Sequence, residues 1–503
     1  MNVILIDLGS NRIELNEPIG LESIAGTLLN NFKDINLVFK WGLLESTDVS
    51  IIKNNYDIFG ISAKLGTYTQ LKSILNSLIE ERKQKKVIIG GPLATFGYIE
   101  LLYEFPDVIC VRGEGEYVFS EIYKKILDNN TLEFNTLEKI PNLVFNKNNC
   151  IIQTERIVEN LNVICRPYRY YLNEILNQKG IVRIESSRGC AWSKCDFCSV
   201  CEHYGSKFWR PFPINYIIEE MEFLSKEGCL APYFTDEDFF GSDYERSKEL
   251  ANQIIKAKKE KRINPEMNFF FSARINDLLQ PYGFELLKLW KIAGLRELFI
   301  GLESGVQNQL KRYGKAATPK RNSMVIKLLK DLDIQLDIGY ILFDPEMNFN
   351  ELVENIKYIE NEHISSFDSR SLKYLRSQPF TNLSKKYFEK KIVIGELNID
   401  LLYYPIRYND ENVSKVMMLY EKWEEILKNR VYFIQATSRG EIFSEQYRIY
   451  LKERLSIIRV FDFNVLKKIV DFVLNNVTFN ELMEYQQISE REKIKVLDNI
   501  TIK

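Results

Sequence analysis

Four of the chain's eight cysteines, Cys190, Cys195, Cys198 and Cys201, fall within twelve residues, in the run SSRGCAWSKCDFCSVC. Three thiolates on one loop can hold a [4Fe-4S] cluster by three irons and leave the fourth iron open to a small molecule. An open iron marks a chemical role. Two C-x-x-C steps also suit a tetrathiolate zinc site built on Cys195, Cys198, Cys201 and one further ligand. Cys110, Cys150, Cys165 and Cys229 are scattered and read as small buried or surface residues. The start, MNVILIDLGS, carries no basic leader, so a cytoplasmic location with reduced thiols is expected rather than a disulfide framework.

The elements that must position these thiols show as two rounds of alternation. From Met1 to about Asp128, short apolar runs (Val3 to Ile6, Leu37 to Lys40, Ile58 to Ile61, Val87 to Ile89, Val108 to Val111) alternate with stretches of helical period. Buried strands alternating with helices predict a parallel sheet covered on both faces, here a flavodoxin-like doubly wound domain. Glycines stand where its strands end, at Gly9, Gly60, Gly90 with Gly91, and Gly113 with Gly115. Residues 129–180 are weakly patterned, with turns at Asn129-Asn130 and Asn146 to Asn149, and are expected to be a connector.

From Ile181 the alternation restarts, with strands expected near 181–187, 232–235, 268–273, 297–302, 335–343 and 366–375. Six units are too few for an eight-fold barrel, so an open, partial (β/α)6 barrel over 181–380 is expected, with chemistry on the loops after its strands. The cysteine loop directly follows the first strand, IVRIE. Residues 381–503 read as a mainly helical C-terminal domain, either a docking site for a substrate or peptide or a plain helical cap on the barrel. Thr478 with Glu481 and Ser489 with Glu492 look like two capping boxes opening two short helices. A DNA-reading pair would need a basic recognition helix, and EREKIKV is nearly charge-balanced.

Composition narrows the partners. At 503 residues, with 45% hydrophobic and 27% charged residues and a net charge of −2, the chain offers no overall attraction to nucleic acid or anionic membranes. No apolar run approaches the ~20 residues of a membrane span.

The segment SRGCAWSKCDFC resembles the cluster loop of the radical S-adenosylmethionine (SAM) superfamily, whose usual spacing is CxxxCxxC after the first barrel strand. Here one extra residue separates Cys190 from Cys195. The resemblance favours Cys190, Cys195 and Cys198 as ligands, over the competing set Cys195, Cys198 and Cys201, and implies that Phe197 packs beside the adenine of SAM. Along the barrel it implies that Asp236 and Glu237 in YFTDEDFF meet the SAM amino group. Ser272 and Arg274 in FSARI would face the SAM carboxylate, and Glu303 in FIGLESG the ribose or methionine end.

The first domain resembles the cobalamin-binding domain that precedes the barrel in many of these enzymes. ISAKLGTY (61–68), VIIGGP (87–92) and RGEGE (112–116) carry the likeness, which implies Ser62, Leu65, Gly90, Gly91, Gly113 and Glu114 as cobalamin contacts. Related domains give cobalt an axial histidine from a DxHxxG loop, which reads DLGSNR here. The chain's two histidines are His203 and His363, both beyond this domain, so cobalamin is expected without a histidine ligand.

Together these resemblances imply a cobalamin-dependent radical SAM enzyme, foremost a methyltransferase acting on carbon of a small molecule or peptide. An electron donor such as flavodoxin or ferredoxin is implied as partner. Ring formation, rearrangement or oxidation with the same cofactors is the nearest alternative, and a non-catalytic metal-bound binding or regulatory protein the one from another class. The segment from Val431 onward is similar to C-terminal parts of radical SAM enzymes that modify ribosomally made peptides.

Overall fold

The computed structural model describes residues 1–9, 15–42, 55–84, 86–129, 132–366, 373–440 and 445–500. Its first sheet holds β1 (Asn2–Leu8), β2 (Asn36–Gly42), β3 (Ile58–Ser62), β4 (Val87–Gly90), β5 (Ile109–Val111), β6 (Leu143–Lys147) and β7 (Cys150–Gln153). They lie in the order β2-β1-β3-β4-β5-β6-β7, the first five parallel, which is the doubly wound flavodoxin-like arrangement. Successive residues of β1 explain why its sequence is apolar throughout. Val3 and Leu5 pack into one core with Leu21, Val118 and Ile122, while Ile4 and Ile6 pack into another with Leu71, Ile74 and Leu101. Both faces of the sheet are therefore buried, and the carboxyl strand ends are left to meet a ligand.

The stretch expected to be a connector contributes structure of its own. β6 and β7 form a hairpin that extends the first sheet in the antiparallel sense, turning at Asn148 and Asn149, both at positive φ. Asparagine tolerates that left-handed conformation, so the expected turn lies within this hairpin.

A two-stranded ribbon pairs β9 (Ser187–Arg188) with β10 (Arg210–Pro211), just after β8 (Arg183–Ile184). β8 itself starts the second sheet, with β11 (Tyr233–Phe234), β12 (Phe269–Ala273), β13 (Leu295–Glu303), β14 (Gln335–Phe343) and β15 (Lys373–Tyr374). The order β15-β14-β13-β12-β11-β8 is parallel throughout and open at both edges, a six-stranded partial barrel. Helices Ile214–Lys226, Tyr244–Lys259, Gly283–Ala293, Pro319–Asp331 and Phe349–Asn361 return the chain between strands. Their starts are sharply defined: Asp243 and Thr318 cap the second and fourth, and Asn348 with Glu351 forms a full capping box on the fifth. The sixth strand is expected over 366–375, of which 367–372 lie outside the described residues, as do Ser10, Asn11 and Arg12 of the DLGSNR loop.

The C-terminal helices Glu411–Glu425, Lys428–Arg439, Glu445–Val473 and Phe479–Asp498 pack on the barrel near the amino ends of its strands. Arg439 pairs with Asp337 at 3.1 Å and Lys452 with Glu297, both acids lying near the starts of β14 and β13. The expected pair of short terminal helices is instead one helix of 20 residues. Thr478 and Glu481 do form a capping box, but Ser489 is a buried mid-helix residue. The residues around it, YQQISEREKI, contain no glycine or proline to stop the helix before it. Among the described residues no helix is long and apolar enough to cross a membrane.

Candidate functional site

The cysteine loop starts where β9 ends and is held from three sides. Gly189 has φ +89°, and a Cβ there would sit 2.5 Å from the Phe208 carbonyl oxygen, so only glycine fits between β9 and the return strand. From the next barrel turn, Asp238 accepts the Ala191 amide at 3.0 Å and pairs with Arg274 at 2.7 Å. From the segment after Glu303, the Tyr313 carbonyl accepts the Asp196 amide at 2.9 Å and the Gly314 carbonyl accepts the Trp192 indole at 3.1 Å. The third side is helix Asn382–Glu389, where the Leu383 amide donates to the Asp196 carbonyl at 2.8 Å.

This frame brings the thiols of Cys190, Cys195, Cys198 and Cys201 together, each half-buried. Burial pushes three of these thiols up, Cys190 to about 11 with help from Asp238, Cys198 to about 12, and Cys195 in the same direction. Proton release must therefore accompany metal binding here. The Cys198 amide donates to the Cys195 carbonyl at 3.1 Å, a tight turn, whereas Cys201 sits in helix Val200–Tyr204 with its thiol 3.7 Å from the Ser193 carbonyl. Among the described residues no three Cys, His, Asp or Glu side chains close round a point as a single metal ion requires.

The residues expected at SAM divide. Phe197 meets Tyr313 edge to face at 5.3 Å and, with Cys198, Glu303, Tyr340, Tyr374 and Arg376, lines a cavity of about 300 Å³. Glu303 holds a left-handed backbone, φ +61°, at the very end of β13, the kind of strain that collects at functional sites. Its carboxylate folds back over Gly301, where a Cβ would lie 2.2 Å from Oε1, and pairs with Lys315 at 2.9 Å.

Asp236 is turned away from that cavity's lining: it accepts Ser186 Oγ and Ser187 Oγ, both at 2.6 Å, although burial still lifts its pKa to about 6. Glu237 accepts the Tyr204 hydroxyl at 2.9 Å, its other carboxylate oxygen is buried without a partner, and burial raises it to about 7. Arg274 is held by Asp238, by Asp277 at 2.9 Å and by Ser242 at 2.5 Å, which leaves part of its fork for a ligand. The Ser272 carbonyl accepts the Phe239 amide at 3.0 Å.

In the first domain, Ser62 and Gly90 are the last residues of β3 and β4, and Leu65 packs against the core beneath them. Gly91 has φ +84° and lies so near the β3 loop that a Cβ would be 2.8 Å from the Ala63 carbonyl oxygen. Asp7, buried at the end of β1, pairs with Lys64 at 2.5 Å in place of any histidine. Gly113 and Glu114, expected at cobalamin, lie against residues of the barrel side. A Cβ on Gly113 would lie 2.7 Å from the His203 carbonyl oxygen, and Glu114 accepts from Arg188 and Arg210, each at 2.9 Å. Arg188, two residues before Cys190, also grips Glu116 at 2.7 Å and Glu185 at 2.9 Å. RGEGE is thus the joint between the two sheets, because a buried guanidinium needs carboxylates around it. His203 lies at the same joint, stacked on Phe96 at 6.2 Å, with burial lowering its pKa to about 4.

Comparison with known proteins agrees with this two-sheet plan. Residues 10–123 match the model of the B12 binding domain. The 4'-phospho-dehydrooxetanocin synthase of Priestia megaterium is 28% identical over 335 residues, covering 62% of this chain and 43% of the synthase. The hopanoid C-3 methylase of Methylococcus capsulatus (strain ATCC 33009 / NCIMB 11132 / Bath) is 22% identical over 342 residues, covering 66% and 61%. The structure of the cobalamin-dependent S-adenosylmethionine radical enzyme OxsB with aqua-cobalamin bound superposes with a TM-score of 0.82, at 17% identity, over 99% of this chain and 80% of that one. The chain carries a B12 binding domain and shares the fold of that cobalamin-dependent radical enzyme. The match spans less than half the length of the first of these relatives.

Lys315, Asp238, Arg188, Glu116 and Lys64 are the site residues that sequence reasoning missed. Arg188 had a signal, since it lies inside SRGC. Asp238 showed only as the third acid of YFTDEDFF and Lys315 had no signal, because their partners come from other loops.

Proposed function

We propose that this chain uses SAM and cobalamin to methylate a carbon atom of a small molecule or peptide. The observation that carries the reading is the set of thiols on one loop, at the carboxyl ends of a partial barrel and bolted to a B12-binding domain through Arg188. Cys190, Cys195 and Cys198 would hold the cluster. Phe197, Glu303 and Arg274 would receive SAM, Asp236 and Glu237 would stand behind its amino end, and Ser62, Leu65, Gly90 and Gly91 would meet cobalamin. Bound together, these groups supply an adenosyl radical and a transferable methyl, while the protein orients them and excludes water. The reading includes a cytoplasmic protein served by flavodoxin or ferredoxin, with no nucleic acid partner.

Reduced protein given SAM and methylcobalamin should release 5′-deoxyadenosine and, with substrate, demethylate the cobalamin. SAM cleavage with the methyl retained would favour the second reading, cyclisation, rearrangement or oxidation. That alternative has its own support, since the first relative is named as a synthase rather than a methylase. Absence of SAM cleavage would leave only a binding protein.

Two further results are expected. Glu303→Ala and Arg274→Ala proteins should keep their iron yet bind SAM about 1.5–3 kcal/mol more weakly by calorimetry, the size of a charge-assisted contact. Unchanged affinity in both would refute their assignment. Electron paramagnetic resonance of bound cob(II)alamin should lack nitrogen superhyperfine splitting, since the first domain contains no histidine and Asp7 is taken by Lys64. Three-line splitting that vanishes in His203→Ala would contradict this.

A further inference from the structure

Lys315 is placed with unusual care for a residue on a loop. The segment Tyr313-Gly314 supports the cluster loop through its two carbonyls, and Gly314, at φ +64°, approaches so closely that a Cβ would be 2.6 Å from the Lys194 carbonyl oxygen. That close packing sets the next residue beside the cysteine loop, and its partner Glu303 lines the same cavity as Cys198. Its side chain is 17% exposed, its ammonium meets Glu303 Oε1 at 2.9 Å, and its charge acts on the thiols of Cys195 and Cys198.

The charges around the loop are unequal. Arg274 is already answered by Asp238 and Asp277, whereas among the described residues Lys315 pairs with one carboxylate, Glu303. Three thiolates make a bound cluster anionic, and reduction adds one more negative charge in a poorly solvated place. Net charge and burial are the levers by which a protein sets the potential of such a cluster.

We propose that Lys315 is a positioning residue for electron transfer: its ammonium, shared between Glu303 and the thiolates of Cys195 and Cys198, stabilises the cluster once it has accepted one electron from a low-potential donor. The inference rests on reading Cys190, Cys195 and Cys198 as the cluster ligands. Glu303 has the complementary part. It fixes the ammonium in place and cancels some of its charge.

The test is a redox titration of the full-length, anaerobically reconstituted protein with dithionite and mediators, without SAM, following the paramagnetic signal of the reduced cluster. K315M should keep its iron but be harder to reduce, with a reduced-to-oxidised ratio about tenfold lower at the wild-type midpoint, which is a fall of about 59 mV for a one-electron couple. K315R should restore most of the difference, and E303Q should move the midpoint the opposite way. A K315M protein with full iron and the wild-type midpoint overturns the proposal. Should K315M lose its cluster, E303Q decides, and a midpoint that falls or stays put overturns it equally. Wild-type protein that takes up no cluster, or Cys190→Ala protein that keeps one, defeats the ligand reading and the proposal with it, a result distinct from an unmoved midpoint.

Discussion

Cys190→Ala, Cys195→Ala and Cys198→Ala proteins should each emerge from anaerobic reconstitution without the brown absorbance of an iron–sulfur cluster and without SAM cleavage. Cys201→Ala should retain both. The expectation rests on how the loop is held. Ala191, Trp192 and Asp196 are pinned by Asp238, Gly314 and Tyr313, so the first three thiols lie on a turn clamped to the barrel mouth. Cys201 belongs to the following helix, directed at the Ser193 carbonyl. Loss of a thiolate removes an iron ligand outright, so the effect is total rather than graded. Iron content, sulfide content and 5′-deoxyadenosine yield are the measurements. Retention of the cluster in Cys190→Ala together with its loss in Cys201→Ala would move the ligand set one step along the loop.

The same loop shows what is legible in a sequence and what is not. Runs such as VILI in β1 and FFF in β12 announce strands covered on both faces, and the returns of helical period between them give the parallel order. Fold and cysteine cluster were therefore readable from local pattern. The hairpin of β6 and β7 was not, because its strands are short and β7 is half exposed, leaving only the Asn turn visible. Ser489 misled because Ser-x-x-Glu has the same spacing inside a helix as at its start, and only burial tells them apart. Asp238 could be seen as one of three neighbouring acids, but the amide it supports belongs to a residue 47 positions earlier. Contacts of that range depend on the assembled fold, and no spacing rule encodes them.

Arg188 makes another such contact, to Glu114 74 positions earlier, and its removal should be the most damaging single change outside the cysteines. Its guanidinium is 5% exposed and meets Glu114, Glu116 and Glu185, while Glu114 is shared with Arg210. Burial opposes the charge on Glu114, yet Arg188 and Arg210 hold its carboxyl below the ordinary range. Arg188→Met would leave three acids facing one another at the junction of the two sheets, a loss of about 3–5 kcal/mol for a broken buried pair. Arg188→Lys should recover only part, since a point charge cannot reach carboxylates on both sides as the planar fork does. The pH dependence follows from the direction of the Glu114 shift. A carboxyl with a depressed folded pKa contributes stability above its unfolded value near 4.3 and loses it as pH falls through the folded one. Wild type should therefore lose stability in acid over that window. The gap between wild type and Arg188→Met should be widest near neutrality and should narrow below about pH 4, where protonation relieves the stranded acids. Urea midpoints at several pH values measure this directly. An Arg188→Met protein within about 0.5 kcal/mol of wild type at neutral pH would mean that the joint between the cobalamin-type domain and the barrel is held by packing rather than by charge.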